Sequence, residues 1–333
     1  ERALEALLQA KRPAIFVGMG VALAGGLLAS LAPGFGWLVA GRFLQGFGTG
    51  GLRVVSYAIM RDRFSGDEMA RVVSLTNSVF VLMVFTAPIF GTLMVEFAHW
   101  RWVFAVTALQ ALATTVWFAL AQPETLSADK RRPISPAAVG RTFLEMLRIR
   151  AMLASVIAIA AVFGAFPTFL SSAHAVLGGI YGLTWGLPLA FGGISACFGV
   201  VSFANSRLVT RIGAQRLTRG ALALWAASGL GGAAVFAAAF GGVPPLILFM
   251  LWLGPTLALF GILFGNLLAM GLTPMGDRAG SASSVLSASG TLCGVALGAV
   301  MVELWDGTVL PLAGIIGAAG IVGLVATRWG RVC

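Results

Sequence analysis

The chain has 333 residues, of which 59% are hydrophobic and only 10% charged, and its mean hydropathy is +0.95. Soluble domains carry about 25% charged residues, so this composition excludes a soluble enzyme or binding domain and assigns most of the length to lipid. The net charge of +10 lies in short loops between apolar runs, which marks membrane topology rather than a nucleic-acid surface.

A membrane helix needs about 20 apolar residues, and on that ruler about ten candidate spans follow in order. They cover residues 14–32, 37–60, 70–94, 102–121, 151–171, 185–205, 218–240, 245–272, 280–302 and 309–327. Residues 1–10 read as a short, partly amphipathic lead-in. Turn signals punctuate the spans at Ala32-Pro33-Gly34, Gly241-Gly242-Val243-Pro244-Pro245, Thr273-Pro274-Met275-Gly276 and Asp306-Gly307.

The second span is the most informative. Arg42 and Arg53 sit inside an otherwise apolar segment. A lone arginine at membrane depth costs roughly 2.5–3.5 kcal/mol on insertion scales, so it normally faces a partner or an aqueous cavity. Gly46 and Gly50 strip side chains from one helical stripe, so that a neighbouring helix can approach. Such a helix, with cations on one side and bare backbone on another, is built to line a path. Arg42 has a second reading as an interfacial snorkelling residue, since it lies about one turn inside the span. Arg53 lies nearer mid-bilayer and rests on carbonyls, water or a partner elsewhere.

Gln45, Asn77, Gln110 and Asn266 are uncharged polar groups within spans. Each either hydrogen-bonds a substrate in a central cavity or bonds a neighbouring helix. Phe163, Phe166, Phe169, Trp185 and Phe191 either line a cavity for greasy compounds or serve as membrane packing, whereas Trp100, Trp102, Trp252 and Trp305 read as interfacial anchors. Gly290, Gly294 and Gly298 form a GxxxGxxxG packing ladder. The glycines from Gly46 to Gly51 lie in an apolar span with no strand before them, so a nucleotide loop is excluded. Three cysteines, Cys197, Cys293 and Cys333, and two histidines, His99 and His174, are too scattered for a disulfide framework, a metal site or a catalytic cluster. No metal and no cofactor is expected.

Of the 22 Lys and Arg residues, all but Arg42, Arg53 and Arg101 fall in one alternate set of loops and ends, including Lys11, Arg12, Arg61, Lys130, Arg148, Arg207, Arg216, Arg278 and Arg328. By the positive-inside rule that side is cytoplasmic, with both termini on it. The longest loop, residues 122–150, carries Pro123, Pro133, Pro136 and the cluster Lys130-Arg131-Arg132. It reads as a basic linker, with a short surface helix near residues 139–148, between a bundle at 1–121 and a six-helix bundle at 151–333. Transporters commonly have matched halves. Four spans against six, with no initiator Met, lead to the expectation that two helices are missing from the N-terminus.

Several motifs in order resemble one family. Arg42-x-x-Gln45-Gly46-x-Gly48 resembles the signature of the fourth helix of the major facilitator superfamily. The run from Arg61 to Arg71 resembles the loop after that helix in its Bcr/CflA drug-resistance branch. Trp100-Arg101-Trp102-Val103-Phe104, Gln122-Pro123-Glu124-Thr125-Leu126, Asn205-Ser206-Arg207-Leu208 and Gly261-Ile262-Leu263-Phe264-Gly265-Asn266 are similar to further marks of that branch. The resemblance covers nearly all of residues 11–330. Two departures stand out: Leu7 and Ala10 occupy the places of an Asp and a Gly before Lys11-Arg12-Pro13, and the Gly-rich antiporter signature is reduced to Pro88 and Gly91.

The resemblance implies an all-α polytopic membrane protein with the major facilitator fold in two bundles, truncated before its third helix. It implies proton-coupled efflux of small amphipathic compounds by alternating access, in the cytoplasmic (inner) membrane of a bacterium, by a monomer that needs only bilayer, substrate and protons. Arg42, with Arg53 and Gln45, is tied to proton coupling, and Asn77, Gln110, Phe166 and Asn266 to the substrate cavity. The Gly290-Gly294-Gly298 ladder, lacking the family's second helix, is expected to face an open groove unless it serves a contact within its own bundle. The alternatives are a transport-inactive fragment of such a carrier and an exporter of a small metabolite. A membrane-embedded enzyme would call for paired intramembrane carboxylates or a His cluster, which the sequence lacks.

Overall fold

A computed structural model describes residues 11–50, 89–121, 144–183, 186–273 and 279–330, with scattered positions between 52 and 87. The chain divides into two compact units, Glu1–Ala137 and Ala138–Cys333. Among the described residues, seven helices are long and apolar enough to cross a membrane: Arg101–Ala121, Arg150–Ile180, Leu187–Ile212, Ala214–Phe240, Leu246–Leu272, Val285–Glu303 and Leu310–Trp329. These are the last seven spans expected from the sequence. Expected span 70–94 lies largely outside the described residues.

In the first unit, α1 (Lys11–Ser30) and α2 (Phe35–Gly50) form an antiparallel hairpin, and α3 (Arg101–Ala121) packs on α1. The hairpin closes through small residues. A Cβ on Gly48 would run into the backbone of Gly18 and Ala22, and one on Gly41 would lie 2.6 Å from the Ala29 nitrogen and 2.8 Å from the Gly25 oxygen. Gly18 and Gly25 on α1 thus mate with Gly48 and Gly41 on α2, each pair one heptad apart. The expectation that Gly46 and Gly50 provide the close approach finds no support among the described residues, where both are exposed and no atom lies within 4 Å of where their Cβ would sit. They fall on the opposite side of α2 from the stripe that α1 covers. At the hairpin turn, the Arg101 guanidinium donates to the Ala32 carbonyl oxygen at 2.8 Å and tethers the start of α3.

The second unit contains α4 (Arg150–Ala173), a π-helix (His174–Ile180), α5 (Leu187–Ile212), α6 (Ala214–Phe240), α7 (Leu246–Ala258), α8 (Phe260–Leu272), α9 (Ala279–Glu303) and α10 (Leu310–Trp329). Its centre is α4, which packs against α8, α9 and α10. Small residues again set the approach. Gly229 of α6 meets the backbone of Gly317 on α10, and a Cβ on Gly320 would lie 2.6 Å from the Ala226 nitrogen. With no hydrophobic drive between helices in lipid, such close backbone contact supplies the association.

Two expected spans prove longer or broken. The span placed at 151–171 continues through the π-helix to Ile180. The span placed at 245–272 is divided at Leu259 into α7 and α8. Pro255 lies inside α7 and cannot donate to the carbonyl four residues back. The neighbouring Thr256 hydroxyl donates to the Trp252 carbonyl oxygen at 2.6 Å, a back-bond that bends helices. Only Gly213 separates α5 from α6, at φ +88°, a conformation open to glycine because it has no Cβ.

The two ends of this unit differ in charge. At one end three loops are knit together. Tyr181 Oη donates to the Pro244 carbonyl at 2.8 Å, and Val309 N to the Gly242 carbonyl at 3.0 Å. Loop residues 181–186, 241–245 and 304–309 contain no Lys or Arg. The other end gathers Arg148, Arg150, Arg207, Arg211, Arg216, Arg219 and Arg328, and the Arg150 guanidinium stacks over the Trp329 ring at 5.1 Å.

Candidate functional site

Arg42 projects from α2 and is exposed. Its Nη1 donates to Gln45 Oε1 at 2.6 Å, one helical turn on, and the guanidinium lies 5.7 Å from the Phe104 ring centroid of α3. Gln45 Nε2 in turn donates to Thr107 Oγ1 at 3.3 Å. The amide therefore bridges a cation on one helix to a hydroxyl on another. It fits there because Gly26 of α1 carries no side chain: a Cβ on Gly26 would sit 3.3 Å from Gln45 Nε2 and 3.1 Å from the Ala108 Cβ. A guanidinium has five N–H donors, so the bond to Gln45 leaves Arg42 able to receive a carboxylate or another anion without moving. Thr107 was invisible to sequence reasoning, since a lone Thr in an apolar span carries no signal.

Gln110 lies one turn beyond Thr107, exposed, with its backbone oxygen accepting from the Thr114 hydroxyl at 2.8 Å. Arg53 and Asn77 lie outside the described residues.

In the second unit Asn266 and Phe166 both lie inside the core. Asn266 of α8 is 6% exposed and pairs with Asn205 of α5. Asn266 Nδ2 donates to Asn205 Oδ1 at 3.1 Å and Asn205 Nδ2 donates to Asn266 Oδ1 at 3.4 Å. Two amides so paired satisfy each other in apolar surroundings, where an unpaired one would carry a desolvation cost. Phe166 is buried and stacks on Phe260 at 4.8 Å, within a group completed by Phe163, Phe198 and Phe264. Both residues therefore sit in helix-to-helix contacts rather than along an open cavity wall. Trp252, read as an interfacial anchor, is a packing residue instead: its indole occupies the space left by Gly232 and donates to the Ser228 carbonyl oxygen at 2.9 Å.

The glycine ladder also finds its partner inside its own unit. A Cβ on Gly290 would lie 3.0 Å from the Phe163 Cβ, one on Gly294 3.0 Å from the Pro167 ring, and one on Gly298 3.3 Å from Ser171 Oγ. The ladder lies against α4, and the expectation of an open groove is set aside. Pro167 explains the match, because its ring fills the groove that Gly294 leaves.

Residues 6–301 match the Major Facilitator Superfamily. The chain belongs to the Major Facilitator Superfamily. It is 29% identical over 321 residues to the bicyclomycin resistance protein homolog of Haemophilus influenzae, covering 95% of this chain and 79% of that protein. It is 28% identical over 328 residues to the multidrug resistance protein MdtL of Shigella dysenteriae, covering 95% and 78% respectively. Among solved structures it is similar to the superfamily transporter FucP in the outward conformation, with a TM-score of 0.65 at 16% identity, covering 98% of this chain and 85% of that one. That last likeness concerns the fold. The chain is thus a multi-pass membrane transporter of this superfamily, homologous to drug-resistance proteins.

Proposed function

We propose that the protein exports small amphipathic compounds in exchange for protons, by alternating access, across the cytoplasmic membrane of a bacterium. The observation that carries this reading is the arrangement of Arg42, Gln45 and Thr107, set beside the chain's kinship with drug-resistance proteins. A fixed guanidinium on a membrane helix holds a neighbouring carboxylate ionised until substrate or a change of conformation alters the field. Gln45 fixes the direction of that charge, and Thr107 ties it to α3, so a shift between α2 and α3 changes where the charge points. Arg53 lies on the same stretch of sequence and is proposed to share this role. Gln110 and Asn77 are proposed to meet substrate.

The basic end of the second unit faces the cytoplasm in this reading, as the positive-inside rule requires, and both chain termini lie on that side. The protein works as a monomer, with bilayer lipid, substrate and protons as its partners.

The test is drug susceptibility. Cells expressing the protein should tolerate higher concentrations of cationic dyes and hydrophobic antibiotics than cells expressing the Arg42→Ala variant at equal membrane abundance. Equal susceptibility at equal abundance would speak against this function.

A further inference from the structure

The basic end of the second unit presents an exposed surface that carries Arg207 and Arg211. α5 has 26 residues, so it measures about 39 Å at about 1.5 Å per residue, against an apolar layer about 30 Å thick. With Leu187 at one boundary, the other falls close to Ser206, and the last turns of α5 emerge beside the headgroups.

The exposed face of α5 changes character at that level. Val200 is 70% exposed and Phe203 59% exposed, both on the lipid-depth part. Arg207 and Arg211 follow at one- and two-turn spacings, also exposed, and the Arg207 guanidinium lies 4.4 Å from the Phe203 ring centroid. Ser206, Arg207, Leu208, Thr210 and Arg211 line an open recess of about 490 Å³. The Ser206 hydroxyl donates to the Phe203 carbonyl oxygen at 2.7 Å and the Thr210 hydroxyl to the Arg207 carbonyl oxygen at 2.9 Å. Those hydrogens are committed to the helix, so among the described residues of the recess the free donors are the two guanidiniums.

Charge balance points the same way. Between Glu145 and Asp277 the sequence has no Asp or Glu, while it holds Arg148, Arg150, Arg207, Arg211, Arg216 and Arg219. Among the described residues no carboxylate pairs with Arg207 or Arg211, and α6, which begins at Ala214 just beyond the recess, has no acidic residue in its first turn. Among the described residues, then, the two guanidiniums carry positive charge with no counter-charge beside them. A ligand that fits must be anionic at the headgroup level and apolar below it.

We propose that the Arg207–Arg211 recess is a binding site for an anionic phospholipid, with the phosphate and its glycerol or equivalent headgroup on the two guanidiniums and an acyl chain along Phe203 and Val200. Guanidinium forks match phosphate oxygens in pairs, and each basic residue near an anionic leaflet strengthens attachment. A free phosphate has the charge but not the chain, and a zwitterionic lipid has the chain but not the net charge.

The test is native mass spectrometry of the full chain purified in detergent, titrated with phosphatidylglycerol or with phosphatidylcholine of the same acyl chains. The wild type should retain phosphatidylglycerol preferentially. The Arg207→Gln/Arg211→Gln double variant should lose that preference by at least about fivefold, the corresponding double Lys variant should keep part of it, and Arg328→Gln should keep all of it. Unchanged phosphatidylglycerol retention in the double Gln variant would overturn the proposal. So would an equal loss in Arg328→Gln, which would reveal a general effect of net charge, or displacement of the lipid by an equimolar amount of soluble glycerol phosphate.

Discussion

Asn205 on α5 and Asn266 on α8 exchange two side-chain hydrogen bonds, at 3.1 and 3.4 Å, across the contact between the two helices. The pair fixes the register of the two helices, because neither amide finds its partner if one helix slides by a turn. Interhelical bonds in membrane proteins average about 0.6 kcal/mol, and rarely exceed about 1.7. Asn266→Ala should therefore lower the thermal midpoint of the purified protein in detergent by an amount equivalent to about 1–2 kcal/mol. Asn205→Leu/Asn266→Leu, which removes both amides, should recover most of the loss. A double variant as unstable as the sum of the two single ones would show that the amides act separately.

Arg42 should be intolerant of both charge loss and geometric change. Arg42→Gln removes the cation, and Arg42→Lys keeps it but loses the planar fork that meets Gln45. Dye efflux should fall at least about tenfold for Gln, a transition-state loss of about 1.4 kcal/mol, and by less for Lys. Thr107→Val, which removes the acceptor for Gln45, should give an intermediate effect. An anchoring arginine would tolerate Gln with full transport.

The hairpin of α1 and α2 offers a paired test of packing. Gly48→Ala drives a methyl group into the Gly18 and Ala22 backbone and should cost on the order of 1–3 kcal/mol, as overpacking does. Gly46→Ala, with no atom within 4 Å of its Cβ, should be neutral or slightly stabilising, since Ala favours the helix over Gly by about 1 kcal/mol. Protein yield after mild heating, followed by size-exclusion chromatography, separates the two variants. A destabilised Gly46→Ala would restore the stripe read from the sequence.

Tyr181 ties the loop after the π-helix to Pro244 and stacks on Phe249 at 5.5 Å. Burial pushes its phenol up to about 12, against an ordinary value of about 10. The folded value is the raised one, so its contribution to stability is complete below about pH 10 and is lost as the pH climbs through the folded value. The wild type should thus lose thermal stability over that alkaline window more steeply than Tyr181→Phe. At neutral pH the variant should be weaker by about 1 kcal/mol, the worth of one hydrogen bond. Parallel alkaline slopes for the two proteins would remove Tyr181 from the effect.

The spans were legible because lipid imposes one rule on all of them, an apolar run of sufficient length. Charge asymmetry was legible for a similar reason, since Arg207, Arg216 and Arg328 sit at one end whatever the packing. Which small residues touch was not legible. Gly46 and Gly50 have the same four-residue spacing as Gly290 and Gly294, yet among the described residues only the second pair meets a neighbour. Spacing places residues on one stripe, and only the neighbouring helix decides whether the stripe is covered. The heptad match of Gly18 and Gly25 with Gly41 and Gly48 could have been found by comparing adjacent spans. Polar groups were ambiguous for the same reason: Asn266 in an apolar span needs a partner, and the sequence does not distinguish a substrate from Asn205.

Proton exchange is the central claim, and inverted membrane vesicles from cells expressing the protein test it most directly. Such vesicles are loaded with an acid interior, and uptake of a fluorescent amphipathic cation is followed as the gradient is imposed and then collapsed with a protonophore. Uptake should require the gradient, should stop when it is collapsed, should dissipate the gradient measurably as substrate is added, and should be absent with Arg42→Gln. Uptake that continues after the gradient is gone, or that leaves the gradient untouched, would contradict proton-coupled export.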